Sequence, residues 1–318
     1  MRILLVKTSS LGDVVHNLPV VVDIRNHFPD AQIDWVVEEN FATIPRLNPG
    51  VNRVIPVAMR RWRKHLSSGA TWRQWREFKQ SLQEQDYDFV IDTQGLLKSS
   101  LIARSARGLR CGYDWGSARE PMATFSYHRK FAVAKNLHAV ERNRQLAAQA
   151  LGYEASAAPT YGVRAPEASL DKAFQAPYVL FLHATSRADK EWPEANWIEL
   201  GKWFAAQNLA ILLASGNEQE FVRAVRLASA IPGAIAQPPG TLENVARHLA
   251  NAAAIVGVDT GLTHLACAFG KPTVAIYCQT DPGLTGVYGS PYAINLGEIG
   301  ATPRVNDVIS AYEKVRAS

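Results

Sequence analysis

Three turns along the chain gather residue types that bind anions or move protons. In the first, Asp259, Thr260 and Gly261 follow the short apolar run Ala253 to Val258. They precede a helical segment from Leu262 to Phe269 that closes at Gly270 ahead of Pro272. A strand entering a helix through such a small-residue turn leaves N–H groups without intrahelical partners, aimed at whatever lies above the sheet. A diphosphate fits there. The second turn follows the strand Tyr178 to His183, where the hydroxyls of Thr185 and Ser186 and the ammonium of Lys190 all suit phosphate oxygens, with Pro193 opening a helix. The third follows Arg2 to Lys7 and runs from Thr8 through Gly12 to Asp13, at the start of another helix.

Each residue also has a plainer reading. Asp13 at a helix start is favoured in its ionised form by the helix dipole and can accept a proton at neutral pH; an Asp there is equally a helix cap. Lys190 lies beside Asp189 and Glu191 and can be a solvated surface lysine. Asp259 can cap the helix that follows, or bind sugar hydroxyls. His183 and His264 are donors at most, and neither is read as a catalytic base. The run Arg60, Arg61, Trp62, Arg63, Lys64 and His65 is either a solvated basic face or the seat of a ligand bearing several anionic groups. Trp62, with Trp72 and Trp75 nearby, can stack on bases, pack beneath the loop or rest against acyl chains. Nucleic acid is the weakest of these, because no recognised reading module accompanies the aromatics.

These turns need strands to deliver them. Strands are expected at Arg2 to Lys7, Gln32 to Val37, Val54 to Val57 and Phe89 to Asp92, with helical patterns between them such as Trp72 to Gln85. A helix from His138 to Leu151 ends at Gly152, and the Ala- and Pro-rich stretch Glu154 to Pro166 reads as a linker. The alternation then restarts: strand Tyr178 to His183, helix Pro193 to Gln207, strand Leu209 to Ala214, helices Glu218 to Ser229 and Leu242 to Asn251, strand Ala254 to Val258, strand Thr273 to Tyr277, and a closing helix Val305 to Arg316. Two doubly wound α/β domains are implied, residues 1–155 and 156–318, with parallel sheets facing across a ligand-binding cleft and the last helix a candidate to pack back on the first domain.

Composition sets outer bounds. A chain of 318 residues with 47% apolar content buries a full core. No apolar run reaches the length of a membrane span, and Met1 to Lys7 is too short for a signal-peptide core, so a cytoplasmic protein is expected. Cys111, Cys267 and Cys278 are odd in number and lack metal-ligand spacing, which points to core filling. The net charge of +5 is unevenly spread: residues 1–150 carry 22 Lys and Arg against 14 Asp and Glu, and residues 151–318 carry 12 against 15. The amino-terminal half is therefore expected to meet a polyanion.

The segments Lys7 to Asp13, His183 to Lys190 and Val258 to His264 resemble the lipopolysaccharide heptosyltransferases of the ADP-heptose transferase family, over nearly the whole chain. Arg60 to Lys64, Asp92 to Gly95, Asp114 to Pro121 and His138 to Arg142 resemble the branch of that family that adds the first heptose. The resemblance implies a GT-B fold and an inverting transfer of L-glycero-D-manno-heptose from ADP-heptose to the inner Kdo of Kdo2-lipid A. ADP is the leaving group, and neither metal nor cofactor is needed. It further implies that Asp13 is the general base, that Thr185, Ser186 and Lys190 surround the donor diphosphate, and that Glu220 meets the adenosine ribose. Asp259, Thr260, Gly261, Leu262 and His264 form the donor turn, and Arg60, Arg61, Arg63, Lys64, Arg119, His138 and Arg142 face the acceptor's phosphates and carboxylates. The basic, Trp-bearing segment points to weak peripheral attachment to the anionic inner leaflet, on the cytoplasmic face of the inner membrane. Relatives carry two threonines where Thr185 and Ser186 stand, and a bulkier apolar residue near Gly240.

Other readings stay open at this stage. The chain could be a family member acting on a different acceptor to add the second heptose, a GT-B-like nucleotide-sugar epimerase, or a non-catalytic lipid-A-binding protein. A dehydrogenase is disfavoured, since the turn after the first strand holds the single Gly12 in place of a Gly-x-Gly-x-x-Gly fingerprint.

Overall fold

A computed structural model describes residues 1–65, 67–155, 158–167, 176–185 and 187–317. The chain forms two compact units, Met1–Val163 and Arg164–Ser318.

In the first unit six parallel strands form one sheet: β1 (Arg2–Val6), β2 (Gln32–Glu38), β3 (Arg53–Val57), β4 (Asp86–Asp92), β5 (Arg107–Tyr113) and β6 (Arg129–Phe131), in the order β3-β2-β1-β4-β5-β6. Residues Ile3 to Val6 of β1 are wholly buried, as expected of a central strand covered on both faces. The helices are α1 (Leu11–Val15), α2 (Leu18–His27), α3 (Thr43–Arg46), α4 (Met59–Trp62), α5 (Gly69–Gln83), α6 (Leu97–Ser105) and α7 (Ala139–Leu151). Cys111 is buried in β5.

The second unit repeats the plan. Its strands are β7 (Tyr178–Leu182), β8 (Ala210–Leu213), β9 (Ala234–Ala236), β10 (Ala254–Val258), β11 (Thr273–Ile276) and β12 (Ala293–Leu296), in the order β12-β11-β10-β7-β8-β9. Counted from its own first strand, this is the same doubly wound order as in the first unit. The helices are α8 (Glu194–Ala206), α9 (Glu218–Ala230), α10 (Leu242–Asn251), α11 (Gly261–Ala268), α12 (Pro282–Thr285) and α13 (Val305–Ala317). Cys267 and Cys278 are buried here, so the three thiols fill core positions.

Four strands, β5, β6, β9 and β12, lie where no strand is expected from the sequence. Their residues explain why: β5 reads Arg-Gly-Leu-Arg-Cys-Gly-Tyr, and β6 and β9 have three residues each. The first unit also extends past the expected boundary at residue 155. Asn48 donates from its side-chain amide to the Tyr161 carbonyl at 3.0 Å, Tyr161 is buried, and Gly162 takes φ +63° at a spot where a Cβ would press on Val22. Part of the expected linker is therefore packed chain. The last helix, a candidate to return to the first domain, seats Val308, Tyr312 and Val315 in the core of the second unit. There the Tyr312 ring meets Phe204 edge-on at 4.8 Å. Among the described residues no helix is long and apolar enough to cross a membrane.

Candidate active site

In each sheet the winding direction reverses at one pair of neighbouring strands, β1 with β4 and β7 with β10. A crevice forms outside the carboxyl ends of strands at such a point, which is where open α/β sheets bind ligands. Register brings the polar turns together there: Val6 pairs with Asp92 in the first sheet, and Gly257 with Leu182 in the second.

In the first unit the turn after β1 is fastened by the side chain of Gln94, in the turn that follows β4. Its Oε1 accepts from the Thr8 amide at 2.7 Å, the Thr8 hydroxyl at 3.0 Å and the Ser9 amide at 3.1 Å, while its Nε2 donates to the Ser9 carbonyl. Lys98, on α6, donates to the Ser9 hydroxyl at 2.7 Å. Asp13 follows on α1, whose N-cap is Ser10, so Asp13 is not itself the cap. Its Oδ2 accepts from the Ser10 amide at 2.6 Å and the Ser10 hydroxyl at 3.2 Å. Its Oδ1 lies 3.7 Å from the Arg119 guanidinium, on a side chain 23% exposed. One oxygen thus fixes the carboxylate's orientation and the other faces Arg119 on a partly exposed side chain. That is the arrangement a general base requires.

Lys7 sits beneath this turn, buried, with its ammonium donating to the Thr93 carbonyl at 3.0 Å and to Asn143 Oδ1 at 3.3 Å. Burial lowers its pKa and the field of Asp13 opposes that shift. Asp92 is buried too, and burial raises its pKa against the pull of hydrogen bonds from Tyr127, at 2.7 Å, and from the Gln94 and Gly95 amides. It shapes the Gln94 turn from inside the sheet.

The seven basic acceptor candidates divide. Arg60, Arg63, Lys64 and Arg119 present exposed charge, with the Arg60 guanidinium over the Phe41 ring at 5.0 Å. Arg61 is engaged with Glu39 through two bonds of 3.1 and 3.0 Å and with Gln74 at 2.7 Å. Arg142 is half-buried, donating to the Ser117 carbonyl at 2.6 Å and lying over Tyr113. His138 is buried at the N-cap of α7, its Nδ1 accepting from the Val140 amide at 3.2 Å, so helix capping is the role this geometry gives it. Trp62 packs under its own segment, 7% exposed and edge-on to Trp75 and Phe78. Sequence reasoning missed Lys7, Gln94, Lys98 and Asn143 as members of the site. Lys7 and Gln94 lie in segments that carry the resemblance, whereas Lys98 on α6 and Asn143 on α7 carried no signal beyond their position.

In the second unit Asp259 organises the site. Its Oδ2 accepts from the Lys190 ammonium at 2.6 Å and the Thr280 hydroxyl at 2.8 Å, His264 Nε2 lies 3.8 Å from Oδ1, and its backbone carbonyl accepts from the Thr185 hydroxyl at 3.0 Å. Burial pushes its pKa up, but the nearby His264 imidazole and the hydrogen bonds from Lys190 and Thr280 outweigh burial and hold the carboxyl well below the usual range. Asp259 therefore stays ionised, and it is not the N-cap of α11. Thr260 is the N-cap of α11 and makes no side-chain cap, which leaves the amides at Gly261 and Leu262 turned to the crevice. The chain can make this close turn because Gly257 has no side chain: a Cβ there would collide with the Thr263 hydroxyl, which donates to the Val258 carbonyl at 2.7 Å.

Lys190 ends a short 3-10 turn, Ala188–Lys190, and uses one of its three N–H donors on Asp259. Ser186 lies outside the described residues. Glu220 sits in the first turn of α9, where its two oxygens accept from the Gly216 amide at 2.6 Å and Asn217 Nδ2 at 2.8 Å, holding the loop after β8. Gly240 lies in the open, with Asn244 at 3.6 Å as the nearest neighbour of an added Cβ, so a bulkier residue is sterically free to stand there. His183 is fully buried, and burial together with Arg223 pushes its pKa down to about 4. It is neutral at physiological pH. Among the described residues no cluster of His, Cys, Asp and Glu is suited to hold a metal ion.

Two doubly wound sheets in succession, one presenting an oriented carboxylate and the other a cationic, amide-lined turn, define a GT-B glycosyltransferase. The model of glycosyltransferase family 9 (heptosyltransferase) matches residues 75–313, and the chain belongs to that family. It is 47% identical over 291 residues to lipopolysaccharide heptosyltransferase 1 of Salmonella typhimurium, covering 91% of this chain and 92% of the relative. Among solved structures, E. coli heptosyltransferase WaaC with ADP superposes with a TM-score of 0.92 at 42% identity, over 99% of this chain and 100% of that one. The same enzyme with ADP-2-deoxy-2-fluoro heptose gives 0.88 at 42% identity, over 98% and 99%.

Proposed function

We propose that the chain transfers L-glycero-D-manno-heptose from ADP-heptose to the inner Kdo of Kdo2-lipid A, with inversion at the sugar and without metal or cofactor. The observation that carries the reading is the Asp13 carboxylate, held through Oδ2 by the Ser10 amide and open at Oδ1 beside Arg119. The solved relatives hold ADP and an ADP-heptose analogue, which supports the donor.

In this reading Asp13 Oδ1 takes the proton of the acceptor hydroxyl as its oxygen bonds to the anomeric carbon. The bond from that carbon to the diphosphate breaks, and ADP departs with the electron pair. Lys190 and the α11 amides meet the charge that develops on the diphosphate, and Asp259, ionised at neutral pH, holds Lys190 in place while facing the heptose hydroxyls. Arg119, Arg60, Arg63 and Lys64 meet the acceptor's anionic groups, and Glu220 the ribose. The acceptor is lipid-borne, so the enzyme works as a peripheral protein at the anionic cytoplasmic face of the inner membrane.

The test is ADP release from ADP-heptose by the purified chain, with Kdo2-lipid A present, absent or replaced by an already heptosylated acceptor. Release that depends on Kdo2-lipid A is expected. Release only with the heptosylated acceptor would move the chain to the second-heptose step, and silence with all three would overturn transfer altogether.

A further inference from the structure

The first unit carries an apolar face that neither the donor nor the acceptor chemistry uses. On α6, Leu97, Leu101 and Arg104 stand at i, i+4 and i+7, all exposed along one stripe. Beside it runs a 3-10 helix, Pro121–Ser126, whose Met122 and Phe125 are three residues apart and so point the same way. The two segments are tied by a hydroxyl contact between Ser126 and Ser100 at 3.2 Å and by the Leu97 amide donating to Glu120 at 2.6 Å. Trp115 adds its ring against Phe125, centroids 5.9 Å apart. Leu97, Leu101, Trp115, Met122 and Phe125 are 45–71% exposed. A cluster of this kind is uncommon on a soluble surface unless something covers it.

The charge around it indicates what does. Between Leu97 and Lys130 the chain has seven Lys and Arg against two acids, Asp114 and Glu120. Both acids are engaged by backbone amides, Asp114 by Ser117 at 2.8 Å and Glu120 by Leu97. Exposed basic side chains on the same segments as the exposed aromatic and aliphatic ones, Arg104 within the α6 stripe and Arg119 just before the 3-10 helix, suit a surface with anionic headgroups above an apolar layer. A second copy of this face would bring like charges together, which disfavours self-association. The Arg60 to Lys64 segment, by contrast, has its own Trp62 folded inward, and the exposed aromatic of that region is the single Trp72 on α5.

We propose that this face of α6 and the Pro121–Ser126 helix docks the enzyme on an anionic phospholipid bilayer. The inference rests on the proposed lipid-borne acceptor, whose reacting sugar would then meet Asp13 from a membrane-bound position. The face borders that site, since Lys98 of α6 reaches Ser9, and Arg119, two residues before Pro121, lies 3.7 Å from Asp13.

The test is co-sedimentation of the full chain with acceptor-free vesicles of phosphatidylethanolamine, with and without phosphatidylglycerol, for the wild type and for Met122→Ser with Phe125→Ser. The wild type should bind the phosphatidylglycerol vesicles. The double variant should bind at least about tenfold more weakly while its melting temperature and ADP affinity stay unchanged. As a second readout, brominated phospholipids should quench the wild type, and Trp115→Phe should remove most of that quenching. Equal binding by the double variant, or a wild type that ignores the vesicles, overturns the proposal. So does concentration-dependent self-association that Phe125→Ser abolishes in a chain that binds no vesicles. Heptose transfer to a water-soluble, deacylated Kdo acceptor separates the two claims. A chain that transfers but ignores vesicles loses this surface and keeps its function; one that binds vesicles and transfers to no acceptor keeps the surface and loses the function.

Discussion

In the proposed reaction the chemistry turns on Asp13 and Lys190, and the structure gives each a neighbour distant in sequence, Arg119 for the first and Asp259 for the second. Asp13 is oriented by Ser10, so Asp13→Asn keeps the shape while removing the proton acceptor. Donor binding should stay near normal and transfer should fall by roughly two to four orders of magnitude, measured by single-turnover ADP release. Transfer that survives would reduce Asp13 to a partner in the α1 cap. Lys190 is held by Asp259 at 2.6 Å, and Lys190→Ala should weaken ADP binding by about tenfold or more in calorimetry, the loss expected for one charge-assisted hydrogen bond. An unchanged affinity would mean that the ion pair serves only the fold. The types and positions of both residues were legible in the sequence, because strand-to-helix turns advertise themselves. The distant partners were not: Arg119 is 106 residues from Asp13 and Asp259 is 69 from Lys190, and only the fold of each unit brings them near.

At the scale of elements, the segment around α4 shows how a charge run is partitioned by what lies beneath it. Trp62 anchors it on Trp75 and Phe78, Arg61 is engaged by Glu39 and Gln74, and Arg60, Arg63 and Lys64 stay exposed. Arg60→Ala combined with Arg63→Ala should therefore raise the acceptor KM and leave the donor KM nearly unchanged, while Arg61→Ala alone should shift the acceptor KM by less than about threefold. Equal effects on both substrates from the double variant would mean that the segment shapes the site rather than binding the acceptor. Helix and strand identities were largely readable, since α10 and β10 fall where periodicity and caps put them. The edge strands β6, β9 and β12 were not, because a strand of three or four residues at the rim is defined by its neighbour and carries little pattern of its own.

Over the whole molecule, the alternation of strands and helices fixed the doubly wound class, while the boundary at Val163 depended on tertiary contacts to Asn48 and Val22 that composition does not reveal. Global stability should carry the mark of His183. Its folded pKa of about 4 lies below the ordinary 6.5, so the unfolded chain binds the extra proton first as pH falls. Stability should be full above about pH 6.5 and decline toward pH 4, by at most roughly 3 kcal/mol. Melting curves of the wild type and His183→Gln across that interval check it; identical acid limbs would remove His183 as the cause. The three core thiols have a practical consequence for anyone wishing to watch this enzyme at work. Burial pushes Cys111 and Cys267 up to about 11, and Cys278 upward as well. At neutral pH only about one in ten thousand of a thiol with pKa 11 is in the reactive thiolate form. Maleimide should leave the native chain essentially unlabelled in a short incubation, as mass spectrometry would show. A single cysteine placed on the surface, as in Thr241→Cys, would then carry a fluorophore at one known address without first stripping the native cysteines from the protein.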